Sequence, residues 1–386
     1  MGRINILYLV MSLPVGGAEE HLRTVLQNID MDSFCPTVCC IREKGQIGEE
    51  IETLGIEVLS LKRMSKSVDF RIVMDIGKII RQRKIHLVHS HLYHANMYGR
   101  VAAFFAGISS VTTEHNVYLK KYKMHRRIVN WLLAKRTERI IAVSEMVKNY
   151  VIARDWIGSR KVEVIHNGID LSRFSSRLSK TIAREKLGIP TDCFLLGIVG
   201  RLSEQKGHIH LIHAMPAVKE SIAEVRLLIV GPGPLEASLR KEVESLALGE
   251  TVLFLGSRRD IPDILAALDV FVMPSLWEGL PVALLEAMSF SLPAVVSEVG
   301  GVAEIIENGE NGFMVPPRDG TVLSRTIMEL YKNDCLRRHL GKNARKTVAE
   351  RFNAVTMTKR MESIYHSAIK HEHWKKQPGV ISDLME

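Results

Sequence analysis

Apolar positions along the chain follow two alternating rhythms. Short apolar and β-branched runs at residues 4–10, 37–41, 56–60, 86–90, 110–113, 139–143 and 162–165 read as strands. Between them, apolar residues three and four apart predict helices over 18–27, 69–83, 95–105 and 145–153. After a polar stretch the alternation restarts, with strands at 194–199, 225–230, 252–255, 270–273 and 293–296. The matching helices run to about 220, then over 321–331 and 336–351. Such alternation predicts an α/β protein with parallel sheets and right-handed crossovers. A segment over 353–369 places Met357, Met361, Ile364, Tyr365 and Ala368 on one helical face, while 371–386 has no period and is expected to be a loose tail. The Asn167-Gly168 turn and the polar run 172–180 mark a linker, which sets the domain boundary between residues 170 and 171.

A length of 386 residues suits two domains, and contents of 46% apolar and 25% charged residues are those of a soluble globular protein. No apolar run approaches the ~20 residues of a transmembrane helix. Residues 3–10 read as a strand without a small-residue cleavage site, not as a signal peptide. The 5 cysteines are odd in number and form no C-x-x-C pair, so neither a zinc site nor a disulfide framework is signalled. These features together point to a reduced, cytoplasmic protein.

The net charge of +9 is densest from Lys120 through Lys121, Lys123, Arg126 and Arg127 to Lys135, Arg136 and Arg139. Ile128, Val129, Trp131, Leu132 and Leu133 are interleaved with it. A basic helix with an apolar stripe predicts docking on an anionic membrane surface. An ordinary packed helix with a solvated basic face fits the pattern equally well. Nucleic acid is not expected, since no zinc-finger, RNP or helix-turn-helix pattern occurs.

The stretch from Asp269 to Met288 carries the most chemistry. The run 270–273 reads as a strand, Pro274 ends it, Gly279 permits an unusual backbone conformation, and Pro281 suits a first helical residue. Glu278 then lies in the loop and Glu286 about two turns along the helix. Loops at the carboxyl ends of parallel strands bind ligands, and a helix N-terminus offers free N–H groups to an anion such as a diphosphate. Taken alone, two glutamates fit a solvated surface as well. Arg201 at a strand end and Lys206, in Gly200-Arg201-Leu202-Ser203-Glu204-Gln205-Lys206-Gly207, can both reach one loop-bound anion.

Other motifs carry less. Gly16-Gly17 sits at a strand-to-helix turn, where close approach of a ligand and a plain tight turn are both readings. His115 follows a strand directly in Thr112-Thr113-Glu114-His115-Asn116. The group His89, His91 and His94 has no carboxylate or cysteine partner, and one strand end does not readily aim three imidazoles at one ion, so no metal is expected. Asp30-Met31-Asp32 reads as a turn. Gly231-Pro232-Gly233-Pro234-Leu235-Glu236 is an incomplete G-x-G-x-x-G, which argues against a nicotinamide cofactor. The segment from Gly256 to Asp260, with Arg258, suits the wall of a nucleotide-base site.

The string Pro274-Ser275, Glu278-Gly279, Pro281, Leu285-Glu286-Ala287-Met288 resembles the donor-site signature of family 4 retaining glycosyltransferases, whose two glutamates are also separated by seven residues. The resemblance covers nearly the whole chain and is strongest over about 165–320. It implies the GT-B fold: two Rossmann-like domains facing a central cleft, 1–170 on the acceptor side and 171–352 binding the nucleotide-sugar, with a helix over about 353–370 crossing back to the first domain. It implies a retaining sugar transfer from a nucleoside-diphosphate sugar, UDP by default, to a glycan or lipid-linked acceptor in cell-surface polysaccharide or glycolipid synthesis.

By the same resemblance Arg201 and Lys206 neutralise the leaving diphosphate in place of a metal, and no cofactor is required. Glu286 accepts from ribose hydroxyls and Glu278 contacts the donor sugar. His115 and the Gly16-Gly17 turn complete the site from the first domain, while Arg258 and Leu280 join the donor-binding set. The expected location is cytoplasmic, peripheral on the inner face of the plasma membrane where the basic helix docks. Two rival readings remain open: an epimerase or sugar phosphorylase of the same fold, and a non-catalytic sugar-nucleotide-binding or membrane-scaffold protein. Two positions depart from the family pattern. Ser291 stands where a turn glycine is usual, and Glu298 replaces a short polar residue.

Overall fold

The computed structural model describes residues 2–64, 69–117, 124–174 and 178–375. The chain divides into two compact units, 1–166 with 355–386, and 167–354. In the first unit the elements run β1 (Ile4–Val10), α1 (Gly17–Asn28), β2 (Phe34–Cys40), α2 (Gly45–Thr53), β3 (Glu57–Ser60), α3 (Phe70–Gln82), β4 (Leu87–His91), α4 (Tyr93–Ala106), β5 (Ser109–Glu114), α5 (Met124–Arg136), β6 (Arg139–Ala142), α6 (Glu145–Asp155) and β7 (Val162–Val164). The second unit holds α7 (Lys180–Leu187), β8 (Phe194–Val199), α8 (His208–Ser221), β9 (Val225–Val230), α9 (Glu236–Ser245), β10 (Val252–Gly256), α10 (Ile261–Ala267), β11 (Val270–Met273), α11 (Val282–Ser289), β12 (Ala294–Ser297), β13 (Phe313–Val315), α12 (Gly320–Lys332) and α13 (Asp334–Arg351). A final helix, α14 (Ala354–Lys375), leaves the second unit and belongs almost entirely to the first.

Both sheets are parallel, in the orders β3-β2-β1-β4-β5-β6-β7 and β10-β9-β8-β11-β12-β13. Continuous apolar runs such as Leu195 to Ile198 and Val270 to Met273 make this possible, because helices cover both faces of each sheet. The strand order reverses between β1 and β4 in one unit and between β8 and β11 in the other. Ligand sites of open parallel sheets lie at that reversal, beyond the carboxyl ends of the strands.

Helix α14 returns to the first unit through the face expected from its sequence. Met357, Met361, Ile364, Tyr365 and Ala368 are buried against Ile6, Tyr8 and Leu22. A polar thread runs through this contact: the Tyr365 hydroxyl lies 2.8 Å from His89 Nδ1 and 3.2 Å from the Tyr8 hydroxyl. Burying these groups is tolerable because each finds a partner.

Several expectations need correction. Helix α7 occupies the end of the presumed linker, with Ser179 Oγ accepting from Ile182 N as its cap. Helix α2 and the three-residue β13 went unforeseen. The presumed tail begins as helix, since α14 continues to Lys375, and 376–386 lie outside the described residues. Ser291 keeps the left-handed backbone of the glycine it replaces, at φ 58°. It ends α11, and a Cβ on Gly341 of α13 would come within 2.0 Å of the Ser291 carbonyl, so the turn is held by close packing. Among the described residues no helix is long and apolar enough to cross a membrane.

Candidate active site

In the second unit the loops after β8 and β11, the two strands flanking the order reversal, are fastened together. Leu276 N donates to Gln205 O at 2.7 Å, and Gln205 Nε2 donates to Trp277 O at 2.9 Å. Gly207 makes the approach possible: at φ +63° its backbone presses on β11 so closely that a Cβ would stand 2.0 Å from Pro274 O. A second close approach comes from Gly300, at φ +60°, where a Cβ would fall 1.9 Å from Glu278 O. The positive-φ glycines here are thus Gly207 and Gly300, not Gly279 as expected.

This packing delivers Glu278 and Lys206 to one point. Glu278 is only 4% exposed, and its Oε1 accepts from Lys206 Nζ at 2.7 Å and from Ser275 Oγ at 2.6 Å. Its other oxygen lies 3.4 Å from Gln205 Nε2. A buried carboxylate needs such partners. The sequence placed both residues near a ligand but did not foresee that they pair with each other, nor that Ser275 and Gln205 complete the set.

Arg201, one loop residue after Gly200, is exposed, and its guanidinium has no hydrogen bond or ion pair among the described residues. Glu286 is half-buried on α11. Pro281 sits at the N-cap of that helix rather than inside it, and no side chain caps the first turn there. Leu280 is buried, and its carbonyl accepts from Asn167 Nδ2 at 2.8 Å. Arg258 forms a two-pronged ion pair with Asp260, Nε to Oδ1 at 2.8 Å, which holds the Asp260 carboxyl below the usual range. Any contact of Arg258 with a nucleotide base therefore comes from a guanidinium already paired.

In the first unit Gly16 is the N-cap of α1 with extended backbone, φ −173°, and Gly17 is the first helical residue. An extended φ is open to any residue, so Gly16 is not required by backbone conformation. His115 follows β5 directly, half-buried, with Nε2 3.0 Å from Nδ1 of the buried His91. His21 of α1 joins them; one ring nitrogen from each of the three lies within 4.8 Å of the other two. Burial first, then the neighbouring imidazoles, hold His91 and His115 well below the ordinary histidine range.

His91 therefore lies with His21 and His115, not with its sequence neighbours His89 and His94. Both His89 nitrogens are engaged, by Tyr365 and by Thr113 Oγ1 at 2.8 Å. Asp30 serves its own turn, accepting from Asp32 N and Ser33 Oγ.

Helix α5 carries the described part of the basic patch except Arg139, which opens β6; Lys120, Lys121 and Lys123 lie outside the described residues. Only Asn130 and Ala134 of α5 are buried. Ile128, Trp131 and Leu132 are 47%, 38% and 51% exposed. Lys135 lies over the Trp131 ring at 3.6 Å and Arg127 over Trp156 at 4.3 Å. Part of the apolar stripe is thus exposed on a helix that also packs against α4 and α6.

Comparison with known proteins shows the family and the fold. Residues 15–173 match the family model described as Glycosyltransferase Family 4, and 179–347 match Glycosyl transferases group 1. The UDP-Gal:alpha-D-GlcNAc-diphosphoundecaprenol alpha-1,3-galactosyltransferase of Escherichia coli is 32% identical over 314 residues, 79% of this chain and 81% of that enzyme. The capsular polysaccharide biosynthesis glycosyltransferase CapM of Staphylococcus aureus is 25% identical over 85% of this chain and 90% of its own. The crystal structure of Anabaena Alr3699/HepE in complex with UDP-glucose superposes with a TM-score of 0.84 at 24% identity, covering 95% of this chain and 100% of that one, which shows the GT-B fold. Two Rossmann-like halves, each matched to a family model, and a relative 32% identical over 314 residues lead to one conclusion: the chain belongs to the family 4 glycosyltransferases, enzymes acting on nucleotide-sugar donors in polysaccharide or lipid-linked glycan synthesis.

Proposed function

We propose that the chain moves a hexose from a UDP-sugar to a lipid-linked or growing glycan acceptor, with retention at the anomeric carbon. The observation that carries this reading is the buried Glu278, tied to Lys206 at 2.7 Å beside the exposed Arg201 at the β8/β11 reversal. In the reaction the bond from C1 to the diphosphate breaks and a bond from C1 to the acceptor oxygen forms. The acceptor's proton leaves with the diphosphate. Arg201, as a fork, and Lys206, as a point charge, offset the charge that develops on the departing group.

On this reading 171–352 is the donor-binding domain and 1–170, with the helix over 353–370, the acceptor side. Glu278 holds donor-sugar hydroxyls and Glu286 the ribose hydroxyls. The loop holding Leu280 and that holding Arg258 line the nucleotide, and His115 with Gly16 and Gly17 serves the transferring sugar. Two cations in the donor site stand in for a metal, so turnover persists in EDTA. The uridine nucleotide and the lipid-linked acceptor are supported by the galactosyltransferase relative, whose name specifies UDP-Gal and a diphosphoundecaprenol acceptor. A peripheral position on the cytoplasmic membrane face is supported by the exposed stripe of α5.

A thermal-shift screen of nucleotide-sugars identifies the donor. The cognate one, at 100 times its dissociation constant, adds roughly 2.7 kcal/mol of stability. Shifts from purine nucleotide-sugars alone would overturn the uridine assignment.

A further inference from the structure

Three neighbouring strands of the first unit, β1, β4 and β5, run parallel and side by side, so their carboxyl ends open on one edge. His91 is the last residue of β4, and His115 follows the last residue of β5. His21 lies in the second turn of α1, the helix into which β1 leads. The topology thus gathers three imidazoles that are far apart in the sequence. His21 and His91 are 2% and 1% exposed. His91 turns Nδ1 toward His115, while its Nε2 is buried with no hydrogen-bond partner among the described residues.

We propose that His21, His91 and His115 form a binding site for a zinc-class divalent cation, whose occupation withdraws His115 from sugar transfer. Two nitrogens bound to one tetrahedral zinc at 2.0–2.1 Å stand ~3.3 Å apart. The His91–His115 pair, at 3.0 Å, needs to open by only a few tenths of an ångström, and His21 closes from within 4.8 Å. Whichever ring donates in that hydrogen bond moves its proton to its other nitrogen, so both lone pairs face the ion and no proton leaves the neutral pair. His89 lies beside His91 with ring centres 4.4 Å apart, but its own nitrogens are engaged, so the set among the described residues is three ligands. A fourth position stays open to water. Three imidazoles without a carboxylate suit zinc, cobalt or nickel and not the oxygen-seeking magnesium or calcium.

The inhibitory half rests on the proposed place of His115 at the transferring sugar; the metal site itself does not. The test uses the full chain stripped with EDTA and then dialysed. Zn²⁺ is titrated against a chromophoric chelator, and Co²⁺ binding is followed by its visible ligand-field absorption. The expected result is one equivalent of Zn²⁺, a tetrahedral Co²⁺ spectrum, and no competition from excess Mg²⁺. His21→Gln and His91→Gln each weaken binding at least ~10-fold. His213→Gln, a change at an exposed histidine, leaves it unaltered. Wild-type protein without the tetrahedral Co²⁺ bands overturns the site even if a variant fails to fold, as does equal Zn²⁺ binding in wild type and both cluster variants. Zn²⁺ should also lower transferase turnover, and EDTA should restore it. Stoichiometric Zn²⁺ binding with undiminished turnover overturns the inhibitory half and the role given to His115, while leaving the metal site standing.

Discussion

Lys206 Nζ donates to Glu278 Oε1 at 2.7 Å, joining loops 72 residues apart in the sequence. The pair gives the proposed donor site a cation held in place before any ligand arrives, at a carboxylate that solvent hardly reaches. Its removal should affect stability as well as rate. Lys206→Ala lowers turnover by about 10²–10³ and costs about 1–3 kcal/mol, because Glu278 is left buried with Ser275 and Gln205 alone. Arg201→Ala lowers turnover comparably but changes stability by less than about 0.5 kcal/mol, since its side chain is exposed. Steady-state kinetics beside urea unfolding checks both. Unaltered turnover in either variant removes that cation from the mechanism.

Ser291 holds φ 58° without the freedom of glycine. Ser291→Gly should raise stability by up to about 1 kcal/mol, the relief of left-handed strain outweighing the entropy of the unfolded glycine. A lower urea midpoint in that variant would contradict this.

Stability should fall with acid in a defined window. Burial, then the charge of Lys206, pushes the His208 ring down to about 4 in the folded protein, whereas an unfolded histidine titrates near 6.5. Below about pH 6.5 the unfolded ring takes up a proton that the folded ring refuses until near 4. The contribution is therefore whole above 6.5 and is lost toward 4, by up to roughly 1.4 kcal/mol per pH unit. His89, pushed to about 3 by burial, acts in the same direction. Urea midpoints at pH 7.5 and pH 5 test this; a midpoint that holds or rises at pH 5 would refute it.

Membrane docking is expected through α5. Ile128, Trp131 and Leu132 are exposed among cations, and each Lys or Arg near an anionic surface adds about 1 kcal/mol. The protein should sediment with anionic but not zwitterionic vesicles and be released by salt. Replacing Lys120, Lys121, Lys123, Arg126 and Arg127 by Ser should abolish the binding. Equal partitioning onto both lipids, or onto neither, would exclude this surface.

The sheets were legible because buried parallel strands are unbroken apolar runs, as in Val225–Val230 and Val270–Met273. Strand β13 was not, being three residues long, and α2 begins on Gly45 and Gly48, which mask helical rhythm. Arg201, Lys206, Glu278 and Glu286 stood out because their residue types and spacing resemble a family signature. The Lys206–Glu278 pairing and the gathering of His21, His91 and His115 did not. They depend on which strand ends become neighbours, and local pattern cannot state that. Gly300 was likewise invisible as a site residue, since its role is to let backbone approach Glu278.

The most direct test of the central claim is the product. Wild-type protein is incubated in EDTA with radiolabelled UDP-sugars and a GlcNAc-diphospholipid acceptor, and the linkage of the isolated product is read by proton NMR. The account predicts a lipid-extractable glycoside whose new anomeric centre keeps the α configuration of the donor, formed without added metal and nearly absent with Lys206→Ala. An inverted β linkage, or a free epimer or sugar phosphate in place of a glycoside, would contradict it.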